Sequence, residues 1–311
     1  MRSHFIFLIS IAFVVSLISC EQEYTPVPSG EVPDYVVEGY LEAGPGALPP
    51  YLLLTRTFDF YGDISADQFT SSFVHDADVR VSDGQLEVVL TEVCFSELDS
   101  TALEQVADLF GFDPDSLNVN FCVYLDLLNQ LQPQTGRSYD LKIAVDGDTI
   151  TSTTRIPTFV PIDSMMFLPP PGEPNDSLAQ LKCYVSDPPG ELNFYRYLGS
   201  TNGGALEPAF SSVTEDLFFD GKSFGFQLFN PQTYTGDVDP EEFGLYFVGD
   251  TITVKWCAID EATFNFWNTL EYAKSNQGPF SGYTRIQSNI QGGLGTWGGY
   301  NVRYYTQVVE Y

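Results

Sequence analysis

Hydrophobic and polar residues alternate along most of the chain from Asp34 onward. Period-two alternation that is rich in β-branched and aromatic residues is typical of β-strands with one buried face. Glycine, proline and aspartate separate the alternating segments and favour turns between them. The pattern predicts strands at 35–41, 51–57, 77–84, 85–91, 139–145, 149–154, 179–185, 193–198, 224–228, 251–259 and 300–309.

Two tight turns and two helices complete the predicted elements. Asp83-Gly84 and Asp146-Gly147-Asp148 are hairpin signals between neighbouring strands. Residues 97–110 place their apolar side chains at helical spacing, which predicts an amphipathic helix inserted between strands. A second helix is predicted from Asp260, its N-cap, to about Ala273.

This order of elements predicts a mainly β protein with two β-sandwich-like domains and short helical insertions. The first domain, 34–156, is expected to be of immunoglobulin or transthyretin type and to carry the helical insert. The second, 157–311, is β-rich. We place the boundary here because Pro157 and the proline-rich stretch 169–174 interrupt the strand pattern.

The first nineteen residues have the pattern of a lipoprotein signal peptide. Arg2 precedes an apolar run, Phe5–Leu17, which is too short for a comfortable membrane span and ends just before Cys20. We expect Cys20 to become the lipidated first residue and 20–33, which is polar and contains prolines, to be a tether. An ordinary secretory signal or an uncleaved anchor is the alternative.

The charge balance is strongly acidic, with 13 lysines and arginines against 42 aspartates and glutamates and a net charge of −29. This charge argues against nucleic acid or anionic lipid headgroups as partners. Of two histidines, His4 lies in the signal peptide, so His75 alone remains and chemistry that needs several histidines is close to excluded. We therefore expect no enzyme, with a glycan hydrolase that uses two carboxylates as the alternative.

Four cysteines accompany Cys20, and an even number in an exported chain predicts disulfides. They are Cys94, Cys122, Cys183 and Cys257. Three pairings are possible. Because each pair then falls within one predicted domain, we favour Cys94 with Cys122 and Cys183 with Cys257.

The strongest candidate for a metal site is an acidic loop with four carboxylates within six residues. Its members are Asp237, Asp239, Glu241 and Glu242. Oxygen ligands of this kind suit calcium, although the loop lacks the glycine of an EF-hand, and a solvated acidic loop is the alternative. No other cofactor is predicted.

A glycine-rich segment, 292–299, precedes the last strand and holds Trp297. We interpret it as a tight backbone path that seats Trp297 and Tyr300 against the sandwich. Together with Tyr283, these two rings would form an aromatic platform for a sugar or a peptide. The alternative is that they pack in the core.

Short segments along nearly the whole chain carry a family resemblance. They are the signal that ends at Cys20, Val36–Gly39, Gly136–Leu141, Asp187–Gly190, Asn193–Tyr197, Phe219–Gly221, Ile259–Thr263 and Asn289–Gly295. In this order they resemble an uncharacterised Bacteroidota lipoprotein family, a domain of unknown function often encoded beside TonB-dependent outer-membrane receptors. The resemblance supplies no catalytic residues, and the helical insert lies outside the matching segments.

The resemblance implies an exported lipoprotein that accompanies a nutrient receptor. The acidic start Cys20–Glu23 is similar to the signal that sends such lipoproteins to the cell surface. We therefore expect a non-enzymatic, surface-exposed lipoprotein of the outer membrane that docks on a TonB-dependent receptor and helps to capture a small nutrient such as a peptide, glycan or metal chelate. A surface hydrolase and a structural or adhesive module are the alternatives.

Overall fold

A computed structural model describes residues 34–57, 65–110, 119–172, 175–234, 239–276, 282 and 284–310. The signal peptide 1–19, Cys20 and the tether 20–33 lie outside the described residues. The chain is mainly β, as the alternation predicted. Its strands are β1 (Tyr35–Ala43), β2 (Tyr51–Arg56), β3 (Asp78–Ser82), β4 (Glu87–Cys94), β5 (Cys122–Leu125), β6 (Ser138–Val145), β7 (Asp148–Arg155), β8 (Ile162–Leu168), β9 (Leu178–Ser186), β10 (Phe194–Thr201), β11 (Glu207–Glu215), β12 (Ser223–Leu228), β13 (Tyr246–Phe247), β14 (Thr251–Ile259) and β15 (Leu294–Val308).

Three helices interrupt the strands in the described part of the chain: α1 (Ala66–Thr70), α2 (Ser100–Phe110) and α3 (Glu261–Ser275). The insert predicted at 97–110 is helical from Ser100, and a short 3₁₀ turn, Phe95–Glu97, precedes it. None of the helices in the described ranges combines the length and the apolar character that a membrane crossing requires.

Eleven strands form one large sheet in the order β11-β10-β14-β15-β1-β2-β5-β4-β3-β6-β7. β15 lies between β14 and β1, antiparallel to the former and parallel to the latter. The β1–β15 pairing joins strands of the two predicted domains in one sheet. The division of the chain at 156/157 stays a prediction, but the sheet runs across it.

A smaller sheet is built around β9, which pairs with β8, β12 and β13. Its buried side chains meet those of β10 and β14 in an apolar core that includes Trp256 and Cys183. Another core lies within the first half of the chain and contains Val37 and Leu141, together with Trp297 from β15. These cores give the sandwich-like packing that the strand pattern predicted.

From Leu294 onward the glycine-rich segment before Tyr300 is part of strand β15, so the strand begins earlier than the sequence predicted. Gly295 has a φ of +103°, and a Cβ atom there would lie 1.9 Å from the carbonyl oxygen of Val37 on β1. Only a residue without a side chain allows the two parallel strands to approach so closely.

Local capping follows the sequence predictions closely. Asp146 and Gly147 both have positive φ values, 51° and 89°, which is the geometry of a tight two-residue hairpin. Asp260 caps helix α3 by accepting a hydrogen bond of 2.9 Å from the Thr263 backbone N–H. Its second oxygen accepts a hydrogen bond of 2.7 Å from the Thr154 hydroxyl, so the cap also ties α3 to β7.

One of the two predicted disulfides is present, and the other prediction is wrong. Cys94 and Cys122 are bonded across the adjacent strands β4 and β5. Cys183 and Cys257 are free and buried. Trp256 points from β14 toward the small sheet that holds Cys183, so the next residue, Cys257, points to the opposite face. Alternation along one strand therefore keeps the two sulfurs in different cores.

Candidate functional site

The predicted aromatic platform does not form. Trp297 is fully buried in the first core and donates a hydrogen bond of 3.4 Å to the Tyr139 carbonyl. Tyr300 is 2% exposed and belongs to the apolar cluster beneath α3. Tyr283 lies outside the described residues. The alternative of core packing is what the structure shows, because Trp297 and Tyr300 enter different cores.

The predicted calcium loop is only partly described, since Asp237 lies outside the described residues. Asp239 accepts a hydrogen bond of 3.0 Å from the Glu241 backbone N–H, and its carbonyl accepts one of 2.9 Å from the Glu242 backbone N–H. These contacts are those of an aspartate-led turn. Calcium binding here stays a prediction.

A compact group of potential metal ligands lies elsewhere, at His75, Glu92, Cys94 and Cys122. The disulfide occupies both sulfurs, so neither is available as a thiolate ligand. His75 instead pairs with Glu92, with 2.5 Å between Nδ1 and Oε1. The arrangement is a histidine–carboxylate contact beside a disulfide.

A buried carboxyl pair joins two loops of the second half of the chain. Asp216 is fully buried, accepts two hydrogen bonds from Asn193, and its Oδ1 atom meets no donor among the described residues. Burial raises the pKa of Asp216, and Asp187 within hydrogen-bonding range raises that pKa further. Asp187 accepts from the Tyr195 hydroxyl at 2.8 Å and the Gly221 N–H at 3.0 Å.

A cavity of about 280 Å³ with several polar lining residues lies on the face of the large sheet that carries α3. We call it the Arg196 cleft. Its floor comes from β1, β2, β10, β14 and β15, and one wall comes from α3. Its lining residues are Glu38, Tyr40, Glu42, Tyr51, Arg196, Leu198, Pro208, Lys255, Cys257, Trp267 and Tyr300.

Strand alternation explains why these polar side chains share one face. On β1 the residues at even positions from Glu38 to Glu42 face the cleft, while Val37 and Leu41 face the first core. On β14 Lys255 and Cys257 face the cleft, while their neighbours face the small sheet. The two faces of one sheet thus carry opposite chemistry.

Arg196 is the central cation of the cleft and is only 5% exposed. Its guanidinium lies 3.5 Å over the Trp267 ring, a cation–π contact. Nε donates to the Ser212 hydroxyl at 3.3 Å, and Nη1 donates a long hydrogen bond of 3.5 Å to the Tyr300 hydroxyl. Among the described residues, no carboxylate comes within 4 Å of this arginine.

The guanidinium therefore keeps hydrogen-bonding capacity for a ligand. It has five N–H groups, and the two contacts above use two of them. Nη2 has no hydrogen-bond partner among the described residues and is not one of the fully buried polar atoms without a partner, and Arg196 lines the cleft, so this nitrogen keeps its two N–H groups for a ligand. A planar donor of this kind binds carboxylates and phosphates in pairs of parallel hydrogen bonds.

Ser212 links Arg196 to Glu271 of α3. The Ser212 hydroxyl donates to one carboxylate oxygen of Glu271, and its backbone N–H donates to the other at 3.0 Å. Burial raises the pKa of Glu271, against the opposing effect of these two hydrogen bonds. Glu271 thus balances part of the arginine charge through Ser212 and leaves the cleft side of the guanidinium open.

The second cation of the cleft, Lys255, is committed to Glu42. Both are buried, and Nζ lies 2.5 Å from Oε1 of Glu42. The other carboxylate oxygen accepts from the Leu48 backbone N–H at 3.1 Å. Burial alone would lower the pKa of Lys255, but Glu42 more than offsets it and the pKa is raised. This pair joins β14 to β1 across β15.

Tyrosines form the other wall of the cleft. The Tyr40 and Tyr51 rings stack with 5.0 Å between centroids, and Phe110 of the helical insert packs edge-on against Tyr51 at 4.8 Å. Tyr40 donates to the carboxylate of Glu38. Burial raises the pKa of Tyr40 and Tyr51 well above the ordinary value and that of Tyr300 to about 12, so all three hydroxyls remain protonated at neutral pH.

The chemistry of the cleft suits binding. Burial raises the pKa of Cys257 to about 12, so its thiol is not a ready nucleophile. No histidine lines the cavity in the described part of the chain.

Sequence reasoning missed Arg196 because it lies inside an aromatic strand segment, where its charge was the only signal.

Comparison with known proteins gives one match. The sequence model of a family described as "Domain of unknown function (DUF4249)" matches residues 21–306. The searches of curated proteins and of solved structures found no match.

Proposed function

The chain belongs to the DUF4249 family, and we propose that it is a non-enzymatic, lipid-anchored outer-membrane protein that captures a small nutrient for a TonB-dependent receptor. The observation that carries the capture function is Arg196. A buried cation is costly unless an anion or several hydrogen bonds compensate it. Here the guanidinium has no carboxylate within 4 Å among the described residues, and its free donors face a cavity.

Anchoring and the receptor partner rest on the sequence. The apolar run that ends at Cys20 supports lipidation, and the acidic residues after it support display on the cell surface. The order of the short segments supports the receptor, because it resembles lipoproteins encoded beside such receptors. The strong negative charge supports a folded part that stays away from anionic bilayer surfaces.

The partner is tested by purifying the tagged full chain from outer membranes in mild detergent and identifying all co-eluting proteins by mass spectrometry. We expect a TonB-dependent receptor in stoichiometric amount. Its clean absence under conditions that preserve other receptor complexes contradicts the receptor part of the proposal. The Cys20→Ala variant tests the anchor, because it should move the protein from the membrane fraction to the soluble fraction.

Capture is tested separately, by small-molecule mass spectrometry of the purified protein. We expect a ligand that co-purifies with the natural chain and with Arg285→Lys, a control at an exposed arginine, but not with Arg196→Lys. Equal retention by both variants would show that the cleft is not the binding site. Cleavage of glycans by the purified protein would favour the hydrolase alternative instead.

A further inference from the structure

Charges in the Arg196 cleft narrow the chemistry of the ligand. Of the four acidic or cationic side chains that line the cleft, Glu42 and Lys255 neutralise each other. Arg196 remains as a cation that no carboxylate contacts within 4 Å in the described part of the chain. Glu38 remains as a carboxylate whose one contact is the Tyr40 hydroxyl, and no described lysine or arginine comes within 4 Å of it.

We propose that the cleft binds a zwitterion with a carboxylate and an ammonium group, which means a free amino acid or a short peptide. This inference rests on the proposed capture function and gives its substrate class. Arg196 holds the carboxylate and Glu38 holds the ammonium group. A ligand with one charge would leave the other charged side chain without a partner of opposite charge.

The carboxylate end is built from donors. The free guanidinium N–H groups of Arg196 match the two oxygens of a carboxylate. The Tyr51 hydroxyl lines the same cavity and has no hydrogen-bond partner among the described residues. Because its raised pKa keeps it protonated, it is a third donor.

The ammonium end is built from an acceptor and aromatic faces. Glu38 is half-buried, and it projects from the same face of β1 as Tyr40. The stacked Tyr40 and Tyr51 rings offer π faces, and such faces attract an alkylammonium group in a partly dry site. Each of these groups binds an amine and repels a second carboxylate.

The size of the cleft agrees with this class. Its volume of about 280 Å³ is just below the ~300–1,000 Å³ of ordinary ligand pockets, which suits a single amino acid. A second cavity of about 310 Å³ shares the lining residues Arg196, Pro208 and Trp267 with the cleft and is also lined by Glu271 and Lys274. It gives room for a further residue of a peptide.

The test is a calorimetric titration of the detergent-purified full chain with four related probes. They are L-phenylalanine, phenylalanine amide without the carboxylate, 3-phenylpropionate without the amine, and the dipeptide Phe-Phe. The nineteen other free L-amino acids are screened in parallel by thermal shift, because the preferred side chain is open. We expect at least one amino acid or the dipeptide to bind, and removal of either charged group to weaken binding at least tenfold.

The variants assign each group to its end of the ligand. Glu38→Gln should weaken binding of the zwitterion at least tenfold and leave the affinity for 3-phenylpropionate unchanged. Arg196→Lys should weaken binding of the zwitterion and leave the affinity for phenylalanine amide unchanged. Arg285→Lys is the control, and far-UV circular dichroism checks that each variant is folded. If 3-phenylpropionate binds as tightly as phenylalanine, the proposal of a zwitterionic ligand is overturned.

Failure of this inference is distinct from failure of the proposed function. Binding of a neutral sugar or a plain carboxylate that Arg196→Lys abolishes would overturn the amino-acid class and leave ligand capture intact. Absence of binding by every amino acid and by the dipeptide also overturns the class. Absence of any retained small molecule in the purified natural chain would overturn capture itself.

Discussion

The buried pair of Lys255 and Glu42 supports a specific prediction about stability. Lys255→Met removes the cation and leaves the Glu42 carboxylate buried, with only the Leu48 N–H as a direct partner. Because the pair connects β14 to β1 across β15, the variant acts at the centre of the large sheet. We expect the Lys255→Met variant to be strongly destabilised. Methionine keeps most of the apolar volume of the lysine side chain, so the loss reports on the charge.

The magnitude follows from burial. Removal of one partner of a buried ion pair costs about 3–5 kcal/mol, chiefly because the other charge stays uncompensated. Glu42 is 3% exposed and keeps one backbone donor, so we expect about 3 kcal/mol for Lys255→Met. Adding Glu42→Gln removes the stranded charge and keeps an acceptor for Leu48. The double variant should therefore regain about 2 kcal/mol of that loss.

The assay is urea unfolding at pH 7, followed by tryptophan fluorescence and far-UV circular dichroism. Lys142→Met is the matched control, because Lys142 is an exposed lysine in strand β6, and we expect a change within about 0.5 kcal/mol. Two results would refute the reasoning. One is a Lys255→Met cost no larger than that of the control, and the other is a double variant whose cost is the sum of the single costs.

Three further predictions concern stability elsewhere in the fold. Replacing Cys94 and Cys122 by alanine should cost roughly 3–4 kcal/mol in urea unfolding, since the bond closes a loop with a sequence separation of 28, and reductant should mimic the loss. Gly295→Ala should cost more than about 3 kcal/mol or prevent folding. Gly84→Ala is the control, because a Cβ there meets open space, and it should cost about 1 kcal/mol. Thermal unfolding of the two soluble variants at equal concentration compares them. Asp216→Asn should stabilise the protein by about 1 kcal/mol at pH 7, because the pKa of Asp216 is raised in the folded state and stability is therefore lost as pH rises and the carboxyl loses its proton. Below the ordinary pKa of 3.8 the carboxyl is protonated in the folded and the unfolded chain, so the gain should vanish there. A gain that does not depend on pH would contradict this prediction.

Local signals made much of the fold predictable. Alternation identified the strands with one buried face, and the Asp-Gly turns and the Asp260 cap were correct because each depends on a few neighbouring residues. Strand β5 was missed because all four of its residues are buried, so its sequence does not alternate. Strand β13 was missed because it has only two residues.

Long-range packing was not accessible to the same reasoning. The glycines before Tyr300 indicated a close backbone approach, but their sequence does not say that the neighbour is β1. The Cys183–Cys257 prediction was wrong because sequence distance carries no information about which face of a strand a cysteine occupies.

The candidate site was missed for a related reason. Arg196 and Glu38 become neighbours of one cavity only through the sheet order β10-β14-β15-β1. By contrast, the aromatic platform was a local prediction, and it failed because Trp297 and Tyr300 point into different cores.

The position of β15 between β14 and β1 has a consequence for biogenesis. During synthesis from the N-terminus, β1 emerges early, yet its partner on one edge is the last strand of the described chain: Val36 pairs with Leu294. Contacts between such distant segments form slowly, because a long loop must close first. The large sheet cannot be completed until almost all of the described chain is available, so the pairing of β1 with β15 is a late step of folding.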